Sequence, residues 1–336
     1  MIIIVSNGKA ENETEEVLEW LSYMGEDVNR INGTLTLESN LEIELANNTP
    51  PVKISIDNRN CDLSNIKSIW FRRWNPTNLI KKSINNEDHT LKRNQLTLNN
   101  HVKHFIESEH STLRNFLFTV LKQNANKVVD HVDVKHINRI SVQLLAISIG
   151  LKTPKTLICN SKNDLYNFIN KNNSTIIKAM GETFTCYLEN EEILISSYTT
   201  RLTQKLIAHF EEKIFPVLAQ EEVEKEFEIR TFFLNNKCYS MAIFSQENTA
   251  SIVDFRAYSG NEVPYRMVPY KLDEDIENKI NILMKNLNLS TGSLDFIKTR
   301  NNDLVFLEVN PVGKFGMVSK PCNYFLEKKL AQYLAE

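Results

Sequence analysis

One segment near the C-terminus constrains this chain more than any other: Ser293-Leu-Asp-Phe-Ile-Lys-Thr-Arg-Asn-Asn-Asp-Leu-Val-Phe-Leu-Glu-Val-Asn310. Apolar and polar residues alternate on both sides of Asn301-Asn302, the pattern of two strands that bury one face. Asparagine tolerates positive φ, so the pair suits a two-residue hairpin turn. That turn sets Asp295 directly opposite Glu308. Asn310 lies two residues beyond Glu308 and shares its face, while Leu294, Phe296, Leu307 and Val309 point to the core. Carboxylates opposed on one face repel, and a divalent cation removes the repulsion. Hard oxygen ligands suit Mg²⁺, which takes one or two carboxylates plus substrate phosphates. The alternative is a surface carboxylate pair on an ordinary hairpin. The Asn two residues after the Glu, followed at once by Pro311, favours metal.

Composition removes several function classes. The chain has only 9 glycines in 336 residues. It contains no GxGxxG or GxxxxGK[ST] loop, which argues against a Rossmann or P-loop nucleotide site. The net charge of −3 argues against nucleic-acid binding. Cys61, Cys159, Cys186, Cys238 and Cys322 have no zinc or disulfide spacing, so reduced cysteines in a cytoplasmic protein are expected. The start, Met1-Ile-Ile-Ile-Val-Ser-Asn-Gly8, lacks a basic n-region and is not read as a signal peptide. No apolar run approaches the roughly 20 residues that cross a bilayer, so no membrane partner is expected. No histidine, serine or cysteine falls in a triad or nucleophile-elbow pattern.

Periodicity predicts a strand at 1–6 and a helix at 13–24 closed by Gly25. Short strands follow at 35–37, 41–45, 53–56 and 68–71, then a long helix over 91–123. A helix over 138–150, strands at 156–159 and 175–179, and a hairpin of 184–188 with 192–196 come next. The last third reads as a helix at 203–210, strands near 218–223, 227–234, 238–245 and 250–255, a helix at 274–287, the acidic hairpin, and a final helix at 324–335. The expected division is 1–125, 126–205 and 206–336.

Several basic residues sit where phosphate chemistry can use them. Lys178 ends the apolar strand Ile176-Ile177-Lys178 and can reach phosphate oxygens as a point charge; a solvated strand-end lysine is the commoner reading. Arg139 opens a helix and is either similar or simply exposed. In Glu228-Ile229-Arg230 and Asp254-Phe255-Arg256 an acid and an arginine share a strand face. Each pair is either a structural salt bridge or an arginine aimed at a transferring phosphoryl group. Backbone of Gln220-Glu221-Glu222-Val223 can bind an adenine edge, or form an ordinary edge strand.

Taken in order, Lys178, Gln220-Glu221-Glu222-Val223, Glu228-Ile229-Arg230, Asp254-Phe255-Arg256, Asp295 and Phe306-Leu-Glu-Val-Asn-Pro311 resemble the ATP-grasp ligases. Trp70-Phe71-Arg72-Arg73 and the spacing from Gln220 to Arg230 resemble those of the macrocyclases of microviridin-type peptides (graspetides), in the grasp-with-spasm branch. The resemblance implies an α/β (α+β) ATP-grasp fold: an N-terminal α/β domain, a central subdomain, and a C-terminal antiparallel-sheet subdomain, with ATP between the last two. It implies that Asp295, Glu308 and Asn310 hold two Mg²⁺ ions and that Lys178 holds ATP phosphates. Arg139 stands where many relatives have lysine. Gln220, Glu221, Glu222 and Val223 match the adenine hinge, Glu228 lies near the nucleotide, and Arg230 and Arg256 lie near the γ-phosphate and acyl phosphate. The implied reaction joins Asp or Glu side chains of a ribosomal precursor peptide to Ser or Thr hydroxyls, or to Lys amines, through an acyl phosphate. Leader recognition is placed on 184–200 and around Glu224 and Glu226, and a homodimer is expected. Competing readings are an amino-acid ligase acting on a carboxylate terminus, a non-catalytic peptide-binding relative, and a small-molecule kinase.

Overall fold

A computed structural model of the chain describes residues 1–6, 11–32, 40–47, 52–56, 59–60, 63, 65–73, 93–131, 137–181, 185–188, 193–196, 199–245 and 266–336. The chain divides into two compact units, Met1–Lys135 with Phe325–Glu336, and His136–Tyr324. The strands expected at 35–37 and 250–255 lie outside the described residues.

The first unit begins with β1 (Ile2–Ser6), α1 (Asn12–Tyr23), β2 (Val28–Asn32), β3 (Leu41–Leu45), β4 (Val52–Ile56), β5 (Arg59–Asn60), β6 (Ile66–Phe71), α2 (Arg93–Asn124) and β7 (Ala125–Val129). β1 is buried along its whole length, as its unbroken Ile-Ile-Ile-Val run requires of a strand covered on both faces. It lies inside a parallel sheet of order β2-β1-β6-β7. Thr14, Val17 and Leu21 form the buried stripe of α1. Gly25, at φ 77°, ends that helix by donating to Ser22 O, the left-handed stop that glycine adopts without strain.

Two stripes on α2 serve two sheets. Phe118 and Leu121 pack with Ile3, Val5, Ile66, Ile69 and Phe71 of the parallel sheet. Leu117 and Val120 pack with Ile54 of the antiparallel sheet β3-β4-β5. β2 and β7 were not legible as strands, because Val28-Asn-Arg-Ile-Asn and Ala125-Asn-Lys-Val-Val carry too few apolar residues. Both are sheet edges, where one covered side is enough.

The second unit opens with α3 (Arg139–Ser148), β8 (Thr156–Ser161), α4 (Lys162–Lys171), β9 (Thr175–Lys178), β10 (Thr185–Leu188), β11 (Ile193–Ser196), β12 (Thr200–Arg201), α5 (Gln204–Ala208) and β13 (Lys213–Glu221). β10 and β11 pair as a hairpin, Thr185 with Ser196. The other strands form an antiparallel sheet of order β12-β9-β13-β8. Leu165, Leu202, Ile207 and Ala219 make its core. β13 follows the division expected near 205 yet pairs with β8 and β9 before it, so this sheet continues to Glu221.

A second sheet follows, built from β14 (Phe227–Leu234), β15 (Lys237–Phe244), β16 (Arg266–Tyr270), then α6 (Glu274–Asn286), β17 (Thr291–Lys298), β18 (Leu304–Asn310) and α7 (Gly316–Cys322). Its order is β16-β15-β14-β17-β18, antiparallel throughout. β16 was missed because Pro269 interrupts it; proline is tolerated there because β16 is an edge strand. Among the described residues no helix is long and apolar enough to cross a membrane.

The last helix, α8 (Leu326–Ala335), departs from the expected division. Leu326, Leu330, Ala331 and Leu334 are buried, and the helix packs on α1 of the first unit. Ser68 Oγ donates to Leu334 O at 2.7 Å, and Lys127 Nζ to Tyr333 O at 2.7 Å.

Candidate metal and nucleotide site

The acidic hairpin reaches its expected register by an unexpected route. The Asn-Asn turn logic applies fully at Asn235-Asn236, where both φ values are positive, 43° and 64°, and Leu234 pairs with Lys237. At Asn301-Asn302 the chain instead makes a longer loop. Lys298 pairs with Leu304, Thr299 N donates to Asp303 O at 3.0 Å, and of the two asparagines only Asn302 has positive φ, 68°. That loop shifts the register by one residue, and a bulge between Asp295 and Phe296 on the pairing with β18 shifts it back. Ser293 faces Asn310, Leu294 faces Val309, and Asp295 faces Glu308. The bulge also exchanges two side chains. Phe306 is fully buried against Phe296, ring centroids 5.5 Å apart. Leu307, expected in the core, is half-buried, because the extra residue of a bulge leaves the regular alternation.

Asp295, Glu308 and Asn310 converge as expected. Asn310 Nδ2 donates to Asp295 Oδ2 at 3.0 Å and to Glu308 Oε1 at 3.1 Å. The amide thus stands between the two carboxylates. Rotating it by half a turn exchanges nitrogen for oxygen at the same place, which converts a bridging donor into a cation ligand. Among the described residues no group of three His, Cys, Asp or Glu side chains converges on a metal position. Two carboxylates and one amide are the donor set that a phosphate-bound Mg²⁺ accepts.

The turn after Asn310 holds its backbone carbonyl. Gly313 N donates to Asn310 O at 2.9 Å. A Cβ on Gly313 would lie 2.9 Å from that same oxygen and would overlap the Ser293 side chain.

Arg230 lies across from Asp295 on the neighbouring strand. Its Nη1 donates to both carboxylate oxygens, at 3.0 and 3.2 Å. Arg230 is held by Asp295 and not by Glu228, the acid two residues away, because the directly opposed cross-strand neighbour is nearer than the same-strand i+2 position. Among the described residues its buried Nε has no hydrogen-bond acceptor. Glu228 instead takes Lys225, whose Nζ bonds its Oε1, with Ser245 Oγ on the same oxygen at 3.4 Å.

Lys178 ends β9 and is half-buried. Burial pushes its ammonium below the usual lysine range, Glu308 works in the other direction, and Arg139 adds to the lowering. Glu308 and Arg139 are therefore both within electrostatic reach of Lys178. Arg139 is the first residue of α3, whose N-terminus is capped by Asn138 Oδ1 accepting from Ile140 N and Ser141 N, both at 3.0 Å.

The expected hinge residues line the passage from the first sheet to the second. Gln220 is buried, and its amide donates to Thr156 Oγ1 at 2.9 Å, so its side chain braces β13 on β8. Glu221 pairs with Lys155 at 3.3 Å. Glu222 takes Arg201 on both oxygens, at 2.6 and 2.7 Å, and Ser174 at 2.7 Å. Its carboxyl is held below the usual range, first by the Arg201 hydrogen bonds; burial opposes this and Ser174 adds to it. Val223, Glu224 and Lys225 line a hollow of about 540 Å³ with Lys152, Arg201 and Asp303. Arg256 lies outside the described residues.

Sequence reasoning missed Lys225 and Arg201 as partners. Lys225 sits in an acidic run that reads as solvated. Arg201 is on a two-residue strand too short for any periodicity. Burial pushes the Cys238 thiol up to about 12 and the Cys322 thiol up to about 11. Cys159, Cys238 and Cys322 are free.

Residues 1–123 match the family model described as the MvdD pre-ATP grasp domain. Over its full length the chain is similar in structure to macrocyclase MdnC bound with precursor peptide MdnA from Microcystis aeruginosa MRC, with TM-score 0.75, 21% identity, and coverage of 100% of this chain and 99% of that one. A Chryseobacterium gregarium RiPP-associated ATP-grasp ligase in complex with ADP and a leader and core peptide gives TM-score 0.74 and 21% identity, covering 99% and 95%. A RimK domain ATP-grasp protein from Sphaerobacter thermophilus gives 0.52 and 10%, covering 99% of each chain. The chain has the ATP-grasp fold. No curated protein sequence matches. By position in the chain, β8, β9, β12 and β13 make the central sheet and β14 to β18 the C-terminal sheet.

Proposed function

We propose that this ATP-grasp chain is an ATP- and magnesium-dependent ligase that closes rings in a ribosomally made precursor peptide. The observation that carries the reading is the convergence of Asp295, Glu308 and Asn310 beside Arg230, with Lys178 in reach of Glu308. It stands in a fold shared over full length with macrocyclase MdnC and with a RiPP-associated ATP-grasp ligase. Two acids held on one face by an amide and a guanidinium form a receptacle for cations that carry phosphates.

Asp295, Glu308 and Asn310 hold magnesium, with two ions as the expected number. The ions would supply charge neutralisation on the transferring phosphate. Lys178 and Arg139 hold the phosphates, backbone of Glu221 to Val223 meets the adenine edge, and Glu228 accepts from ribose hydroxyls. Arg230, with a buried donor left over, points its charge at the γ-phosphoryl group, and Arg256 is assigned the same office. A peptide carboxylate oxygen bonds to the γ-phosphorus, and the bond to ADP breaks. A hydroxyl or amine of the same peptide then bonds to the acyl carbon; inorganic phosphate leaves, and the nucleophile's proton is released. Exclusion of water protects the acyl phosphate.

The same reading places leader recognition on β10–β11 and around Glu224 and Glu226, and takes the working form as a homodimer, which light scattering checks. The decisive experiment incubates the protein with ATP, Mg²⁺ and a Thr-, Glu- and Asp-rich peptide encoded beside it. The expected product is lighter by about one water per ring, and Glu308→Gln abolishes its formation. Consumption of ATP with glutamate alone favours an amino-acid ligase. ATP turnover unchanged in Glu308→Gln removes the catalytic reading.

A further inference from the structure

Lys225 stands in the run Glu221-Glu222-Val223-Glu224-Lys225-Glu226, where a solvated cation is the ordinary expectation. It is buried instead. Its side chain is 7% exposed, that of its partner Glu228 is 12% exposed, and the two form an ion pair. Burying a lysine carries a desolvation cost that a pair offsets only with good geometry, and an apolar residue of similar size fills such a place as well or better. Packing alone does not account for a charge here.

The surroundings suggest what the charge does. The segment is not helical, so the i, i+3 contact is not a by-product of a helix. The linker makes it. Glu222 N donates to Ser174 O at 3.0 Å on the central sheet, and Glu226 N donates to Lys298 O at 2.8 Å on the C-terminal sheet. Lys225 lies between these anchors and reaches forward to Glu228. Glu228 is on the β14 face that carries Arg230, opposite Asp295, which is the face of the acidic site. With Lys225 and Ser245 both on Oε1, the plane of the carboxylate is fixed.

We infer that Lys225 is a positioning residue that sets the Glu228 carboxylate for the ribose hydroxyls of the nucleotide; this rests on the nucleotide reading above. A carboxylate is an acceptor only, and the ribose hydroxyls are the donors a nucleotide presents beyond its base. The ion pair also ties the linker backbone that meets the base to the side chain that meets the sugar, so the two contacts form together.

Calorimetric binding of ADP and of 2′,3′-dideoxy-ADP, each with Mg²⁺, tests this. The protein as it stands should prefer ADP by about tenfold, the size of one hydrogen bond to a charged group. Glu228→Ala should bring the ratio to about one. Lys225→Met should do nearly the same, chiefly by weakening ADP, while Lys225→Arg keeps most of the preference. The double variant Lys225→Met with Glu228→Gln leaves no lone buried charge, so it keeps the measurement available if the single variant does not fold; its ratio should also be near one. A folded Lys225→Met protein that keeps the full preference while Glu228→Ala loses it overturns the role of Lys225. If Glu228→Ala keeps it as well, Glu228 does not meet the sugar, and the nucleotide assignment of that residue falls with the proposal.

Discussion

At the scale of single residues, the acidic site depends on neutralisation as much as on ligands. Asp295 and Glu308 face each other, and Arg230 and Asn310 keep them together. Truncating one partner of a largely buried pair leaves the other charge uncompensated. Arg230→Ala should therefore lose about 3 kcal/mol in urea unfolding, and Arg230→Leu with Asp295→Leu should recover most of that loss while remaining inactive. Gly313 carries a different constraint. A methyl group there meets Asn310 O and Ser293, so Gly313→Ala should destabilise by about 1–3 kcal/mol. It should also weaken Mg²⁺ affinity, read by titration in the presence of ADP. Glu308 and Asn310 were legible together because strand alternation puts them on one face, while Asp295 joined them only through the hairpin register. The partner of Arg230 was not, because a cross-strand neighbour belongs to a pairing that no local pattern records.

At the scale of elements, the linker between the two sheets is tied to a short edge strand by Arg201 and Glu222. Arg201 holds the Glu222 carboxyl below its usual range. A depressed folded-state value contributes stability that is complete above the unfolded-state value and is lost as pH falls through the folded one. Arg201 is half exposed, so the contribution is at most about 1 kcal/mol. Arg201→Met should be slightly less stable than the parent at pH 7, and the gap should close as pH drops below the ordinary carboxylate range. Urea titrations at several pH values check the sign. A gap that widens in acid would contradict it. The hairpin teaches a related lesson: a loop one residue out of step and a one-residue bulge compensate, so the expected pairing of Asp295 with Glu308 survived an incorrect turn. The bulge left its mark on Leu307 and Phe306 alone.

At the scale of the molecule, the first unit is completed by the far end of the chain. Leu326, Leu330 and Leu334 of α8 are fully buried, and each buried leucine contributes about 1.5–3 kcal/mol. Their sum approaches the whole stability of an ordinary domain. Leu330→Ala should cost about 2–5 kcal/mol, visible as a lowered melting temperature. Removing residues 326–336 should leave the first unit without a stable fold, seen as loss of its calorimetric transition. Retention of that transition would show that α1 and the parallel sheet suffice.

The sequence by itself determined the alternation of buried and polar faces, the placing of Glu308 and Asn310 on one strand face, and the absence of glycine-rich phosphate loops. These depend on neighbours two or four residues apart, and backbone geometry turns such spacing directly into shared faces. Only the tertiary structure decided that β13 belongs to the central sheet, that α8 completes the first unit, that Asp295 holds Arg230, and that Lys225 is buried on Glu228. Each of these is a choice among several chemically acceptable partners. Strand pairing and packing, which act between residues far apart in sequence, select one of them.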